Sequence, residues 1–208
     1  MPFTRFFSWL KGFFGNRKTM SLGIYGNVNT GKSTLANRIC VDWTGEPLSE
    51  VSEVPHETRE VKKKERVVIH VGGRKVTINL LDMPGITTRV DYREFMKYGI
   101  GAKKAQQRAK EATKGIIEAI KWLEHVDAAL VVMDACDDPY TQVNITILGN
   151  LEARKIPVVL VANKIDRKEA RPERIKEAFP QHEVISISAL KGDNMNALYE
   201  AIAAHASR

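Results

Sequence analysis

Cysteine is scarce in this 208-residue chain: Cys40 and Cys136 are the only two, far apart and each set among apolar neighbours. That excludes a disulfide scaffold and a thiolate metal cluster, and it fits core packing in a reducing compartment. No apolar stretch approaches the roughly 20 residues that cross a bilayer. There is no low-complexity tract, no internal repeat and no zinc-ligand spacing, and no nucleophilic triad stands out. A cleavable signal peptide is not expected, because charges interrupt every apolar run near the N-terminus. Acids are missing from residues 1–20, which hold Arg5, Lys11, Arg17 and Lys18; of the net charge of +7 they carry +4, leaving +3 on the remainder. The rest is ordinary for one globular domain with a single core, at 43% hydrophobic and 27% charged. The expected organisation is a basic extension over 1–20 and one domain over 21–208. The expected location is the cytoplasm.

What is present is a phosphate-cradling pattern. Gly26-Asn27-Val28-Asn29-Thr30-Gly31-Lys32-Ser33 fits G-x-x-x-x-G-K-[ST]. It follows a short apolar run, Leu22-Gly23-Ile24-Tyr25, and precedes a helix-like run from Thr34 to Ile39. Glycines at these positions let successive backbone N–H groups turn inward around an anion, and the helix that follows adds the positive end of its dipole. Lys32 then reaches the β- and γ-phosphates, and the Ser33 hydroxyl is placed for Mg²⁺.

Strand and helix signals alternate beyond residue 20. Short apolar runs predict strands at 21–25, 66–71, 75–81, 128–133, 158–162 and 184–188. The second and third flank Gly72-Gly73, a two-residue hairpin signal. Helices are predicted at 32–41, within 92–125, and at 141–154, 172–178 and 194–204. The pattern is that of an α/β protein: a six-stranded, mostly parallel sheet with one antiparallel hairpin and helices on both faces.

Polar motifs recur where these strands end. Asp82 closes the third, in Leu81-Asp82-Met83-Pro84-Gly85, where a carboxylate can hold Mg²⁺ and the Gly85 N–H can meet a γ-phosphate. An Asp-Pro-Gly cluster is also a common turn. Asn163-Lys164-Ile165-Asp166 follows the fifth strand, and Asp166 can accept from the N1–H and N2–H₂ edge of guanine, a donor pair that adenine lacks. Ser188-Ala189-Leu190 closes the sixth and can offer a backbone N–H to guanine O6.

In order and placement these motifs resemble the small GTPases of the Ras-like P-loop fold, over about residues 21–205. The resemblance implies GTP and GDP as ligands and Mg²⁺ as cofactor. It places the phosphates on residues 27–34, that is Asn27, Val28, Asn29, Thr30, Gly31, Lys32, Ser33 and Thr34, and a γ-phosphate sensor on Asp82 and Gly85. The base falls to Asn163, Lys164, Asp166, Ser188, Ala189 and Leu190. It also implies a switch threonine with a second Mg²⁺-binding hydroxyl. Thr58, in His56-Glu57-Thr58-Arg59-Glu60, is the preferred residue, with Thr44 as the alternative.

The water-orienting glutamine of the Ras group is replaced here by Ile86. In that respect the chain is similar to the TrmE–Era branch, where an asparagine in the position of Asn29 helps to coordinate K⁺. The switch keeps that branch's threonine and arginine but departs at His56 and Glu57, in the loop that completes the ion site. Simple turn residue remains the other reading of Asn29. Glu94, nine residues past Gly85, is either a water-positioning acid or a solvated helix glutamate. The implied activity is hydrolysis of GTP as a switch, K⁺-assisted and promoted by dimerisation through the switches, with a barely hydrolysing nucleotide-dependent scaffold as the competing reading.

Phe3, Phe6, Phe7, Leu10, Phe13 and Phe14 recur at helical spacing opposite Arg5 and Lys11, a pattern that suits a membrane interface or a protein partner equally. The basic run Lys103, Lys104, Arg108, Lys110 and Lys114 suits an RNA or effector face, though such a run is usually only a solvated surface. RNA or ribosome binding has no dedicated domain behind it in this sequence.

Overall fold

The computed structural model describes residues 19–48, 61–86, 103–104, 117 and 119–206. Six strands form one sheet in the order β2-β3-β1-β4-β5-β6. Their bounds are β1 Met20–Gly26, β2 Lys62–Val71, β3 Arg74–Asp82, β4 Ala128–Asp134, β5 Val158–Asn163 and β6 Glu183–Ser186. Only β2 runs antiparallel, against β3; every other pairing is parallel. Four α-helices are described: α1 Lys32–Thr44, α2 Gln142–Ala153, α3 Pro172–Ala178 and α4 Met195–Ala206. Among the described residues no helix is long and apolar enough to cross a membrane.

Alternation along the strands sends neighbours to opposite faces. Leu22, Ile24, Ile78, Leu80, Leu130 and Val132 pack with Leu35 and Ile39 of α1 and Leu198 and Ile202 of α4. Tyr25, Leu81, Val131, Met133 and Leu160 pack on the other face with Ile147 and Leu151 of α2 and Ile175 of α3. Strands buried on both sides read as continuous apolar runs, which is why β1, β4 and β5 stand out in the sequence.

Local chemistry sets the element ends. The hairpin turns on Gly72 and Gly73, at φ 55 and 72, a geometry few other residues tolerate in succession. Thr141 caps α2 by accepting from the Asn144 N–H at 3.2 Å, and Pro172 opens α3. Two strand bounds are corrected, and one expected helix is described only at its end. β2 begins at Lys62 rather than 66, because Arg66 forms a bulge at φ 54 with its N–H on Asn79 Oδ1 at 3.1 Å. The register shifts there, so Lys62-Lys63-Lys64-Glu65 lacks the alternation that marks a strand. The expected helix within 92–125 ends in a 3₁₀ turn at Trp122–His125; most of that stretch lies outside the described residues. β6 stops at Ser186, so Ser188-Ala189-Leu190 lies in the loop beyond it.

Candidate functional site

With β1, β3, β4, β5 and β6 parallel, their C-terminal ends share one edge of the sheet, and the chain's polar motifs gather there. The loop after β1 is stapled from within. The Asn27 carbonyl accepts from Thr30 Oγ1 at 3.0 Å and from Lys32 Nζ at 2.6 Å, while Asn27 Oδ1 takes the Val28 N–H at 2.7 Å. Asn29 and Gly31 sit at φ 59 and 93. This left-handed backbone at alternate positions curls N–H groups toward a common centre. Asn29 is exposed, and Thr34 lies half-buried in the first turn of α1.

Gly31 is fixed by its neighbour as well as by its backbone: a Cβ there would lie 2.3 Å from Asn163 Nδ2. Gly31→Ala therefore combines left-handed strain with a clash. It is expected to cost about 1–3 kcal/mol of stability in urea denaturation, and to weaken nucleotide binding by pushing the two loops apart.

Lys32 is buried, and desolvation draws its pKa down to about 8, against the pull of the Asp82 carboxylate and with the help of the Lys164 charge. Asp82 is wholly buried and its pKa is raised, chiefly by burial, while the Ser33 hydroxyl and Lys32 oppose the rise. Ser33 Oγ donates to Asp82 Oδ2 at 2.7 Å, and Asp82 Oδ1 is buried with no hydrogen-bond partner among the described residues. An orphaned carboxylate oxygen beside a hydroxyl is a hard-oxygen donor set that fits Mg²⁺. Gly85 closes against this centre: a Cβ there would stand 2.8 Å from Val28 Cγ1 and 3.3 Å from Lys32 Nζ. Ile86 donates its N–H to the Gly26 carbonyl at 3.2 Å and buries its side chain in the core beside Tyr25 and Met83. It offers nothing polar to a water.

The loop after β5 is tied to both of its neighbours. Buried Asn163 donates Nδ2–H to the Thr30 carbonyl at 2.8 Å and accepts the Ala189 N–H on Oδ1 at 3.0 Å. Lys164, at φ 69, reaches the Asn29 carbonyl at 2.6 Å and Asp134 at 2.5 Å. Asp134 lies at the end of β4; burial pushes its pKa up, but bonds from Lys164 and the Cys136 N–H outweigh this and hold it low. Ser188 Oγ donates to Asp166 Oδ1 at 2.7 Å, a bond that lowers the Asp166 pKa and keeps the carboxylate charged.

The sequence-predicted residues thus fall into one cluster, with three qualifications. Ala189 spends its N–H on Asn163, so Leu190 is the member of the tripeptide whose N–H has no protein acceptor described. The Leu190 side chain is 70% exposed. Thr44 is the last residue of α1 and gives its hydroxyl to the Cys40 carbonyl at 2.8 Å. At 1.5 Å of rise per residue it stands roughly 16 Å along the helix from Ser33, which removes it as a metal ligand. Thr58, Glu94 and residues 3–14 lie outside the described residues. Two residues escaped the sequence reading. Asp134 carried the same signal as Asp82 and Asn163, a polar residue ending an apolar strand; Arg38, taken up below, carried none.

A Gly-rich loop between β1 and α1, a strand-end carboxylate and the tied Asn163–Asp166 loop on one edge of a doubly wound sheet define a P-loop nucleotide-binding domain. Residues 21–164 match the family described as 50S ribosome-binding GTPase, and the chain belongs to that family. It is 34% identical to GTPase Era of Clostridium acetobutylicum over 188 residues, covering 88% of this chain and 54% of that protein. To GTPase Der of Campylobacter hominis it is 28% identical, covering 91% of this chain and 37% of that one. Two solved structures are also similar at 25% identity, each matched over 91% of this chain and 57% of its own. One is an Aquifex aeolicus Era variant bound to GDP·AlF₄⁻, at a TM-score of 0.69. The other is Era in complex with MgGDPNP and nucleotides 1506–1542 of 16S ribosomal RNA, at 0.68. The chain spans about half the length of the Era proteins it matches.

Proposed function

We propose that the protein binds GTP with Mg²⁺ and hydrolyses it to GDP and phosphate, acting as a molecular switch in the cytoplasm. The observation that carries this reading is the meeting of the Lys32 cradle, the Ser33–Asp82 pair with its orphaned oxygen, and the Asn163–Asp166–Ser188 cluster at one sheet edge. Ser33 and Asp82 would hold Mg²⁺, directly or through water, with Thr58 as the switch ligand. The ion would withdraw charge from the phosphate oxygens.

Lys32 brings a cation already stripped of water to the point where negative charge gathers. Gly85 brings backbone close enough to report whether a γ-phosphate is present. The attacking water's oxygen bonds to the γ-phosphorus as the bond to the β–γ bridging oxygen breaks. GDP leaves with that oxygen, and both protons of the water end on inorganic phosphate, as H₂PO₄⁻.

Ile86 cannot orient the water, so unaided turnover is expected to be slow. Asn29 stands exposed on the crest of the loop while Lys164 holds its carbonyl, an arrangement that supports a K⁺-ligating role for its side chain. Dimerisation through the switches would complete the ion site, and rate per molecule would then rise with protein concentration. Single-turnover hydrolysis is expected to run on the order of tenfold faster in KCl than in NaCl, and Asn29→Ser is expected to remove the difference. Equal rates in the two salts would sink the potassium role. No turnover in either would favour the nucleotide-dependent scaffold, to which the buried Ile86 side chain lends support. The family description and the RNA held by one Era structure extend the proposal to an RNA or ribosomal partner. The aromatic segment over 3–14 is proposed as the contact to a membrane or protein surface.

A further inference from the structure

Arg38 lies on α1, outside every nucleotide motif, yet its guanidinium holds the loop that follows β6. Nε donates to the Ala189 carbonyl at 3.3 Å and Nη2 to the Leu190 carbonyl at 3.0 Å. Nη1 lies 3.6 Å from Asp42 Oδ1, one helical turn on. Asp42 in turn accepts the Tyr199 hydroxyl of α4. The guanidinium is thus held on one side by a carboxylate fixed between two helices, and it grips two successive carbonyls on the other. The planar fork of arginine suits this bridging, which the single ammonium of lysine cannot reproduce.

The grip has a directional consequence. In a trans peptide the C=O and the next N–H point in opposite directions. A donor fixed on the Ala189 carbonyl therefore aims the Leu190 N–H away from α1. A donor on the Leu190 carbonyl fixes the next peptide plane, whose Lys191 N–H goes to Ser188 Oγ at 3.1 Å. That same oxygen donates to Asp166. Gly192 packs under the guanidinium: a Cβ there would lie 3.6 Å from Arg38 Cζ. One side chain thus sets the plane that offers an N–H to the base, while Ser188 is held to Asp166 by its own bond.

We propose that Arg38 is a positioning residue for guanine recognition, holding the Ala189 and Leu190 peptide planes so that the loop presents an N–H to the base O6. This deepens the guanine-nucleotide reading above and rests on it. The bland alternative is a brace that stabilises the fold without regard to the base, and the two differ in which nucleotide feels its loss.

Release of GDP, 6-thio-GDP and IDP from the full chain in Mg²⁺ separates them. The thio analogue alters only the atom at position 6, and IDP lacks only the 2-amino group that faces Asp166. Arg38→Met should speed GDP release roughly tenfold. It should bring the release rates of GDP and 6-thio-GDP together, while the preference for GDP over IDP stays near the wild-type value. Arg38→Lys, which keeps the charge and one contact, should fall between and serves if the methionine variant does not fold. Unchanged GDP release would overturn the proposal, and so would faster release with the wild-type ratio of GDP to 6-thio-GDP. Should the wild type fail to retain GDP at all, the guanine reading falls with it, a result distinct from either of those.

Discussion

Asp166→Asn is expected to weaken GTP binding by roughly a hundredfold or more and to admit xanthosine triphosphate in its place. The carboxylate would accept two hydrogen bonds from guanine, each worth about 1.5–3 kcal/mol when one partner is charged. Asp166 is partly exposed, so solvent screening argues for the lower end of that range. Ser188 decides the outcome of the substitution. Its hydroxyl donates to Oδ1 at 2.7 Å, so an asparagine would keep its carbonyl oxygen toward Ser188 and turn its NH₂ toward the base. Two donors would then face each other across the guanine edge. Xanthine carries an acceptor at position 2 and would satisfy that NH₂. Titration of fluorescent GTP and XTP analogues into both proteins checks this. An unchanged affinity for GTP would remove Asp166 from base recognition.

The same residues show why some of the site was legible in sequence and some was not. Asp82, Asn163 and the Gly26–Ser33 loop each follow an apolar strand, so a local pattern revealed both the strand and the polar group at its end. Buried parallel strands make that pattern strong, because nothing polar is tolerated until the strand leaves the core. Asp134 obeyed the same rule and was legible in principle. Arg38 was not: a lone arginine on a helix has no local mark, and its partners lie about 150 positions away, at Ala189, Leu190 and, through Asp42, Tyr199. Ala189 shows a subtler limit. Its place in the loop after β6 followed from the strand order, but the destination of its N–H depended on the Asn163 rotamer. The first half of β2 stayed hidden because the Arg66 bulge broke the period on which strand recognition relies.

Lys32→Met is the second large effect expected, and it should act in opposite directions on stability and on binding. The Lys32 ammonium is buried, and the lowering of its pKa from 10.5 to about 8 reflects the cost of keeping it charged there. At 1.36 kcal/mol per unit that cost is on the order of 3 kcal/mol. The sign follows from which state holds the proton more tightly. The unfolded chain does, so the penalty is fully present below about pH 8, shrinks as pH rises, and is gone above the unfolded value of 10.5. Methionine matches the length of the stem without the charge, and no acceptor is stranded, because the Asn27 carbonyl keeps its bond from Thr30 Oγ1. Without nucleotide, Lys32→Met should therefore melt a few degrees above wild type near neutrality, with the gap narrowing at alkaline pH. With Mg²⁺ and GDP the order should invert. The wild type gains stability by mass action, while a variant that binds more than roughly a hundredfold more weakly gains little. Thermal melts with and without nucleotide measure both effects. A ligand-free variant that melts below wild type, or one that keeps the full nucleotide shift, would show that Lys32 is a structural lysine. The expected crossing would mark a residue whose buried charge costs the fold stability that bound nucleotide returns.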